Sequence, residues 1–164
     1  MIKIYIIDLE QDDPRKCTAH RLAKFGYAKL VKNVKHVNGI LLSPFTDRIF
    51  SYSDLKDVLN HGIYAVDGSW KNGEKIFERI SGKYRRLPYL VSGNNINFGK
   101  PYMLSTAEAI SSALYILGYK DIAEKIMGLF SWGHTFLEMN KEPLNDYFMK
   151  SEEDIKEIEK LYIS

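Results

Sequence analysis

The sequence predicts an α/β fold in which an N-terminal α/β part is followed by an all-helical C-terminal part. Short runs of β-branched residues alternate with helical spacing up to about residue 95, and this alternation favours a largely parallel sheet. After Asn97 only helical spacing recurs. We therefore expect two domains, an N-terminal α/β domain of residues 1–95 and a C-terminal helical domain of residues 96–164.

The first strand and helix are predicted from residues 2–31. IKIYIID (residues 2–8) has the alternating β-branched pattern of a strand. In CTAHRLAKFGYAKLV, Ala19, Leu22 and Ala23 have helical spacing and Gly26 closes the helix. Thr18 stands near the start of that helix, where its hydroxyl could cap the helix or hold a ligand carboxylate.

Further strands and helices follow up to residue 91. GILLSPF is a short apolar strand broken by Pro44, and SDLKDVLNHG is a helix with a serine cap and a terminal glycine. The predicted elements are a strand at 39–45, a helix at 53–62, a strand at 63–70, a helix from about 69 to 80 and a strand at 85–91.

The remaining elements are all predicted to be helices. TAEAISSALYILG (106–118) is amphipathic, residues 120–140 form one or two more helices, and EEDIKEIEKLYI closes the chain with a last one.

Composition limits the class of protein. With 45% hydrophobic and 27% charged residues, the 164-residue chain has the composition of a soluble globular protein. Its single cysteine, Cys17, cannot form an intramolecular disulfide and fits a reducing compartment. No apolar run approaches membrane-spanning length, and acidic residues come too early for a signal peptide. We expect a cytoplasmic protein that does not enter a membrane.

The charge is unevenly distributed although the formal net charge is only +2. The stretch from residue 15 to residue 35 has no acidic residue, whereas SEEDIKEIEK near the end is rich in carboxylates. Such a basic face favours a polyanionic partner, and a solvated lysine-rich helix face is the alternative. The basic residues of this stretch are Arg15, Lys16, Arg21, Lys24, Lys29, Lys32 and Lys35.

VDGSW places Asp67 and Trp70 at the carboxyl end of a predicted strand, where open α/β sheets bind ligands. Asp67 would be a charge partner or base and Trp70 an apolar wall. The alternative, which spacing alone favours, is that Asp67 caps the next helix and Trp70 fills the core. The four histidines share no ligand-like spacing, and neither CxxC nor HExxH is present, so no metal site is expected.

The stretch RRLPYLVSGNNINFGKPYMLSTAEA (85–109) runs from a strand through a polar loop into a helix start. Such a junction exposes backbone donors and acceptors beside an apolar wall and suits a nucleoside-sized ligand. It has no phosphate-cradling glycine pattern, and GxGxxG and the P-loop motif are also absent from the chain. The ligand is therefore not expected to be held by phosphates, although turn formation alone would also explain SGNNINFG.

Five segments, in this order, carry a resemblance to one family: RKCTAHRLAKFGYAKLV, LLSP, AVDGSW, RRLPYLVSGNNINFGKPYMLSTAEA and LYILGYKDIAEKIMGLFSWGHTFLEMN. Together they resemble the small-subunit rRNA aminocarboxypropyltransferases of ribosome biogenesis, over all but about the last dozen residues. The resemblance implies transfer of the 3-amino-3-carboxypropyl group of S-adenosylmethionine to N3 of a (methyl)pseudouridine, with release of methylthioadenosine. It also implies a monomer, and a fold similar to SPOUT methyltransferases with a deep trefoil knot. A SPOUT-type RNA methyltransferase and a non-catalytic RNA-binding assembly factor are the alternatives.

The resemblance also assigns the site, with the cofactor between the two expected domains. The methionine carboxylate would meet Thr18 and the amide of Thr106, and the ribose would meet the Val66 carbonyl. Trp70 would bury the S-methyl group, and Asp67 would stabilise the sulfonium or accept the N3 proton. The adenine would lie among Leu42, Pro44, Leu90, Leu104 and Ala109, its edge bound by the Leu90 amide and the Tyr102 carbonyl. The rRNA phosphates would meet Arg15, Lys16, Arg21, Lys24 and Lys29.

Overall fold

Five parallel strands form one sheet in the computed structural model of the chain, which describes residues 1–9, 18–67, 75 and 78–163. The strands are arranged across the sheet in the order β2-β1-β4-β3-β5. Every strand pairing is parallel. The strands are β1 (Ile4–Asp8), β2 (Lys29–Val31), β3 (His36–Leu42), β4 (Ile63–Asp67) and β5 (Ser81–Arg85).

Alternation along the central strands gives the sheet two apolar faces. Ile6 of β1 is buried in the main core, while its neighbour Ile7 belongs to a smaller cluster with Val37, Leu41 and Ile80. Successive side chains of a strand point to opposite faces, so a run such as IYIID can serve both. This double burial explains why the central strands are nearly continuous apolar runs.

Helices follow their sequence signals closely. The chain leaves the first helix through Gly26, whose φ of 81° favours glycine, and the third helix begins at a capping box of Ser105 and Glu108. None of the helices in the described ranges is both long and apolar enough to span a bilayer. The helices are α1 (Thr18–Lys24), α2 (Leu55–His61), α3 (Thr106–Ile116), α4 (Lys120–Met127), α5 (Gly133–Met139), α6 (Lys141–Tyr147) and α7 (Glu152–Glu159), with a 3-10 turn at Tyr52–Asp54 before α2.

Helix α3 is the centre of the main core. Nine of its eleven residues are buried, and it packs against α1, α4, α6 and strand β4. The buried cluster around it runs from β1 to Ile155 in α7. The sheet and the helices that follow it in sequence therefore share one core, and burying α3 on all sides fixes its N-terminus near the strand ends.

The expected fold class needs correction. The described residues show an α/β fold on a five-stranded parallel sheet, with the later helices built into the same core rather than forming a separate helical part. These residues do not show the SPOUT-like fold with a deep trefoil knot, so that prediction was wrong. It came from the resemblance alone, because hydrophobic periodicity carries no information about how a chain threads. The division near residue 95 stays a prediction.

Two elements differ from the sequence prediction at the sheet edge. The last strand is Ser81–Arg85 rather than 85–91, and β2 was not expected. The α6 helix was also not expected, although Pro143 in its first turn is compatible with a helix start. The helix predicted from 69 to 80 lies almost entirely outside the described residues.

Candidate functional site

The crevice between β1 and β4 is where the strand order reverses. The chain leaves β1 toward β2 on one side and leaves β4 toward β5 on the other side of the sheet. Open α/β sheets bind ligands at such switch points, outside the carboxyl ends of the strands. Asp8 and Asp67 are the last residues of the two strands and are directly paired in register. The topology therefore places two neighbouring carboxylates at the position where a ligand is expected.

Side chains from α1 and α3 surround these carboxylates. The Thr106 hydroxyl donates to Asp67 Oδ1 over 3.1 Å, and His20 Nε2 lies 3.4 Å from Asp8 Oδ2. The Ala107 amide donates to Thr18 Oγ1 over 3.2 Å. Both aspartates are only 9% exposed. Thus Thr18, Asp67 and Thr106, predicted from different parts of the sequence, lie together.

The first turn of α3 has one amide to offer an anion. The amides of Ala107, Glu108 and Ala109 donate to Thr18 Oγ1, Ser105 Oγ and the Ser105 carbonyl. The Thr106 amide, the first of the helix, has no acceptor among the described residues. Together with the helix dipole, such an amide suits a carboxylate.

Three of the five residues predicted to contact the adenine are buried in one core cluster. Leu42, Leu90 and Leu104 are buried in the main core, and Ala109 packs against it, whereas Pro44 is exposed. The first three come from the end of β3 and from the long segment before α3, so the fold joins what the sequence separates.

The backbone at Leu90 and Tyr102 forms a small two-strand contact. The Tyr102 amide donates to the Leu90 carbonyl over 2.9 Å, and Tyr102 has a φ of 63°. Leu90 is 0% exposed, and its amide finds no acceptor in the ranges the structure describes. Buried amides are almost always paired, so this amide is available to an acceptor on a ligand. The residues present therefore fit a nucleoside with an amino-acid tail.

A carboxylate from the last helix holds this segment. Arg86 makes two hydrogen bonds of 2.9 Å to the two oxygens of Glu159. Glu159 Oε2 also accepts from the Tyr89 amide at 2.7 Å and the Tyr102 hydroxyl at 3.1 Å. We call Arg86, Tyr89, Tyr102 and Glu159 the C-terminal clasp. It brackets Leu90 from both sides and so positions the proposed adenine-binding backbone.

The charges of the clasp are set by its own contacts. Burial alone would raise the pKa of Glu159, but hydrogen bonds from Arg86 and Tyr102 outweigh it and hold the pKa below its ordinary value. Burial and the neighbouring Glu159 carboxylate raise the pKa of Tyr102 to about 12. The Tyr102 phenol therefore stays protonated and donates a hydrogen bond to a charged carboxylate, and such charge-assisted hydrogen bonds are strong.

A second buried carboxylate anchors the polar loop. Glu108, which is 0% exposed, accepts from the Ser92 hydroxyl, the Gly93 amide and the Asn94 side-chain amide. A Cβ on Gly93 would lie 2.7 Å from the Cα of Phe136, so only glycine lets the loop approach α5 this closely. The SGNNINFG loop is thus fixed in place from within the protein.

Not every predicted residue can be placed. Trp70, Arg15 and Lys16 lie outside the described residues. Val66 is partly buried in β4, next to Asp67. Arg21, Lys24 and Lys29 are exposed on and after α1, and Arg21 donates from Nε to the Leu129 carbonyl at 2.7 Å.

Sequence reasoning missed Asp8, Glu108 and Glu159. Asp8 carries the same signal as Asp67, an acid directly after an apolar strand. Glu108 stands three residues after Ser105, the spacing of a capping box, which also marks it from sequence. Glu159 is separated from Arg86 by 73 residues and has no local signal. In the described part of the chain no group of three or more histidine, cysteine or acidic side chains could hold a metal ion.

Two family models match the sequence. "Ribosome biogenesis protein, C-terminal" covers residues 40–163, and "Possible Fer4-like domain in RNase L inhibitor, RLI" covers residues 2–35. An iron–sulfur cluster takes four cysteine ligands, and this chain has only one cysteine. The second match therefore carries no cluster chemistry here.

Relatives match over nearly their whole length. The chain is 48% identical to a 16S rRNA aminocarboxypropyltransferase of Sulfurisphaera tokodaii, covering 97% of this chain and 94% of the relative. It is 42% identical to the protein of that name from Methanosarcina acetivorans, covering 99% and 95%. Among solved structures, the SAM-dependent rRNA:acp-transferase Tsr3 of Vulcanisaeta distributa matches with a TM-score of 0.88 and 35% identity, covering 96% of this chain and 88% of that one.

Proposed function

The chain belongs to the family of 16S rRNA aminocarboxypropyltransferases, and from this we propose that it transfers the 3-amino-3-carboxypropyl group of S-adenosylmethionine to small-subunit rRNA during ribosome biogenesis. The observation that carries the proposal is the 48% identity with a relative of that name over 97% of this chain. The strand-end crevice adds support, because its amides, apolar wall and carboxylates suit a nucleoside with an amino-acid tail.

Each end of the cofactor meets a matching group. The Thr106 amide and the Thr18 hydroxyl would hold the carboxylate at the N-terminus of α3. Leu42, Leu90 and Leu104 would contact the adenine, with the Leu90 amide donating to its edge. When bound, S-adenosylmethionine supplies a sulfonium-activated carbon for transfer. The chain's part is to orient that carbon toward the RNA and exclude water around it.

We propose Asp67 as the residue that stabilises the sulfonium charge or accepts the proton of the nucleotide. It lies at the end of β4, 9% exposed, with Thr106 donating to Oδ1 and so fixing its orientation. From there it would stabilise the positive charge of the bound cofactor or accept the proton that the nucleotide loses. Both roles require an ionised carboxylate in the crevice.

Several finer predictions remain part of the proposal. The acceptor atom would be N3 of a (N1-methyl)pseudouridine, and Trp70 would bury the S-methyl group so that the aminocarboxypropyl arm faces the RNA. The cofactor lies between the parts before and after about residue 95. The protein acts as a monomer in the cytoplasm, with Lys24 and Lys29 contacting rRNA phosphates.

The test is to incubate the protein with small-subunit rRNA and S-adenosylmethionine labelled either in the carboxyl carbon or in the methyl group. We expect RNA to take up only the carboxyl label, with methylthioadenosine released. Uptake of the methyl label alone would contradict the proposal and indicate a methyltransferase. Absence of cofactor binding by calorimetry would indicate an assembly factor without catalysis.

A further inference from the structure

One exposed surface of the protein consists of aromatic rings around an arginine. The Arg21 guanidinium carbon lies 5.4 Å from the ring centre of Phe25 and 5.9 Å from that of Phe130. Phe130 in turn stacks on Trp132, with ring centres 4.8 Å apart and an angle of 21° between the planes. We call Arg21, Phe25, Phe130 and Trp132 the aromatic stack. It links α1 to the connection between α4 and α5.

Core packing does not account for the outer part of this stack. Phe130 and Trp132 pack partly against the core, but Phe25 is 49% exposed. Arg21 is held with its Nε donating to the Leu129 carbonyl at 2.7 Å, so its planar group is fixed beside the rings. A large exposed ring next to an oriented guanidinium is a typical binding surface for a planar group.

The stack lies along the same face of α1 as the candidate site. Thr18, Arg21 and Phe25 are spaced by three and four residues, which places them on one helical face. The Phe25 amide still donates to the Arg21 carbonyl, so the helical turn continues to Phe25. The helical rise puts Phe25 about 10 Å along the axis from Thr18. A group bound at the stack would therefore lie beside a nucleotide in the crevice.

We propose that the aromatic stack binds an unpaired base of the rRNA next to the target nucleotide, by stacking that base on Phe25. This rests on the proposed function, since it takes the RNA as the substrate. The surrounding charge supports an RNA partner, because Lys24 and Lys29 are exposed and no acidic residue occurs from residue 15 to residue 35. Stacking needs bases that are not already in a helix, so the partner is a single-stranded loop rather than a duplex.

The experiment compares Phe25→Leu, Phe25→Tyr and Lys24→Gln in binding to two RNAs. One RNA is a small-subunit rRNA hairpin with an unpaired loop, and the other is a fully paired duplex of equal length. Phe25→Leu removes the ring and should weaken hairpin binding about tenfold. Phe25→Tyr keeps the ring and should bind the hairpin within about twofold of the unchanged protein. Duplex binding should stay unchanged for both.

Salt dependence separates stacking from phosphate contact. Phe25→Leu should leave the slope of log K against log salt unchanged, whereas Lys24→Gln should reduce that slope by about one. Leu59→Ala serves as the matched control, because Leu59 is also 49% exposed but lies on α2. It should change neither affinity nor slope.

Three results of the binding measurements would overturn the proposal. These are hairpin binding by Phe25→Leu equal to that of the unchanged protein, an equal loss for hairpin and duplex, and an equal loss for Phe25→Tyr. The proposal would also fail, in favour of a protein partner, if Phe25→Leu lost modification of intact small subunits but still bound the hairpin normally. Because binding is measured without transfer, these results are distinct from failure of the labelling test.

Discussion

Two regions of the molecule use buried carboxylates in different ways: the ends of β1 and β4, and the C-terminal clasp. In the clasp, Glu159 is matched by a guanidinium in a two-bond contact and by two further donors. At the strand ends, Asp67 accepts from a threonine hydroxyl and Asp8 faces a histidine. The clasp holds backbone in place, whereas the strand-end pair lies at the crevice proposed to bind the cofactor. We therefore expect changes in the clasp to act mainly on the free energy of unfolding, and changes at the strand ends to act mainly on the rate of transfer.

The largest expected effect belongs to Asp67. Asp67→Asn keeps the size of the side chain and an oxygen for the Thr106 hydroxyl but removes the charge. We expect kcat for aminocarboxypropyl transfer to fall about a thousandfold, with little change in the free energy of unfolding. Asp57→Asn is the control, since Asp57 pairs with Lys83 on the exposed surface. Retention of more than a tenth of the activity by Asp67→Asn would remove Asp67 from the chemistry.

For Glu159 we expect the larger effect on stability. Glu159→Gln leaves the Arg86 guanidinium without its charged partner and should lower the free energy of unfolding by about 3 kcal/mol in a denaturant titration. Glu157→Gln, in the same helix, breaks only an exposed pair with Lys160 and should cost less than about 0.5 kcal/mol. Equal stability of the two variants would mean that the pair of Arg86 and Glu159 adds no more to the free energy of unfolding than the exposed pair of Glu157 and Lys160.

The smallest effect compares two helix caps. Ser105 caps α3 and Ser151 caps α7, each by accepting a backbone amide. Replacement of either by alanine should lower the free energy of unfolding by about 1 kcal/mol. Only Ser105→Ala should weaken binding of S-adenosylmethionine in calorimetry, because only α3 begins at the crevice. The same change in affinity for both variants would show that the start of α3 does not bind the cofactor carboxylate.

The sequence predicted the elements whose signals are local. Strands β1 and β4 are buried apolar runs, α2 ends at Gly62, and α3 begins at a capping serine. Ser81–Arg85 was missed because SGKYR has no apolar alternation, and its strand conformation depends on pairing with β3. The five-stranded order itself is a product of non-local pairing, which no local pattern encodes.

The candidate site likewise has a part that the sequence could predict and a part that depends on contacts between distant segments. Asp67 was singled out by its position at the end of a strand and Thr106 by the family resemblance, and the structure brings their side chains within 3.1 Å. That Thr18 meets the amide of Ala107 depends on the packing of α1 against α3, 89 residues apart in sequence. The exposed stack of Arg21 on Phe25 and Phe130 likewise joins distant segments.

The C-terminal clasp joins residues that are translated at different times. Glu159 holds Arg86, Tyr89 and Tyr102, which precede it by 73, 70 and 57 residues. During synthesis the segment around Leu90 therefore emerges long before the carboxylate that fixes it. The segment proposed to bind the adenine is therefore held by the clasp only once the last helix has been translated and has folded back. We therefore expect a nascent chain whose last helix has not yet been translated to bind S-adenosylmethionine less tightly than the finished protein.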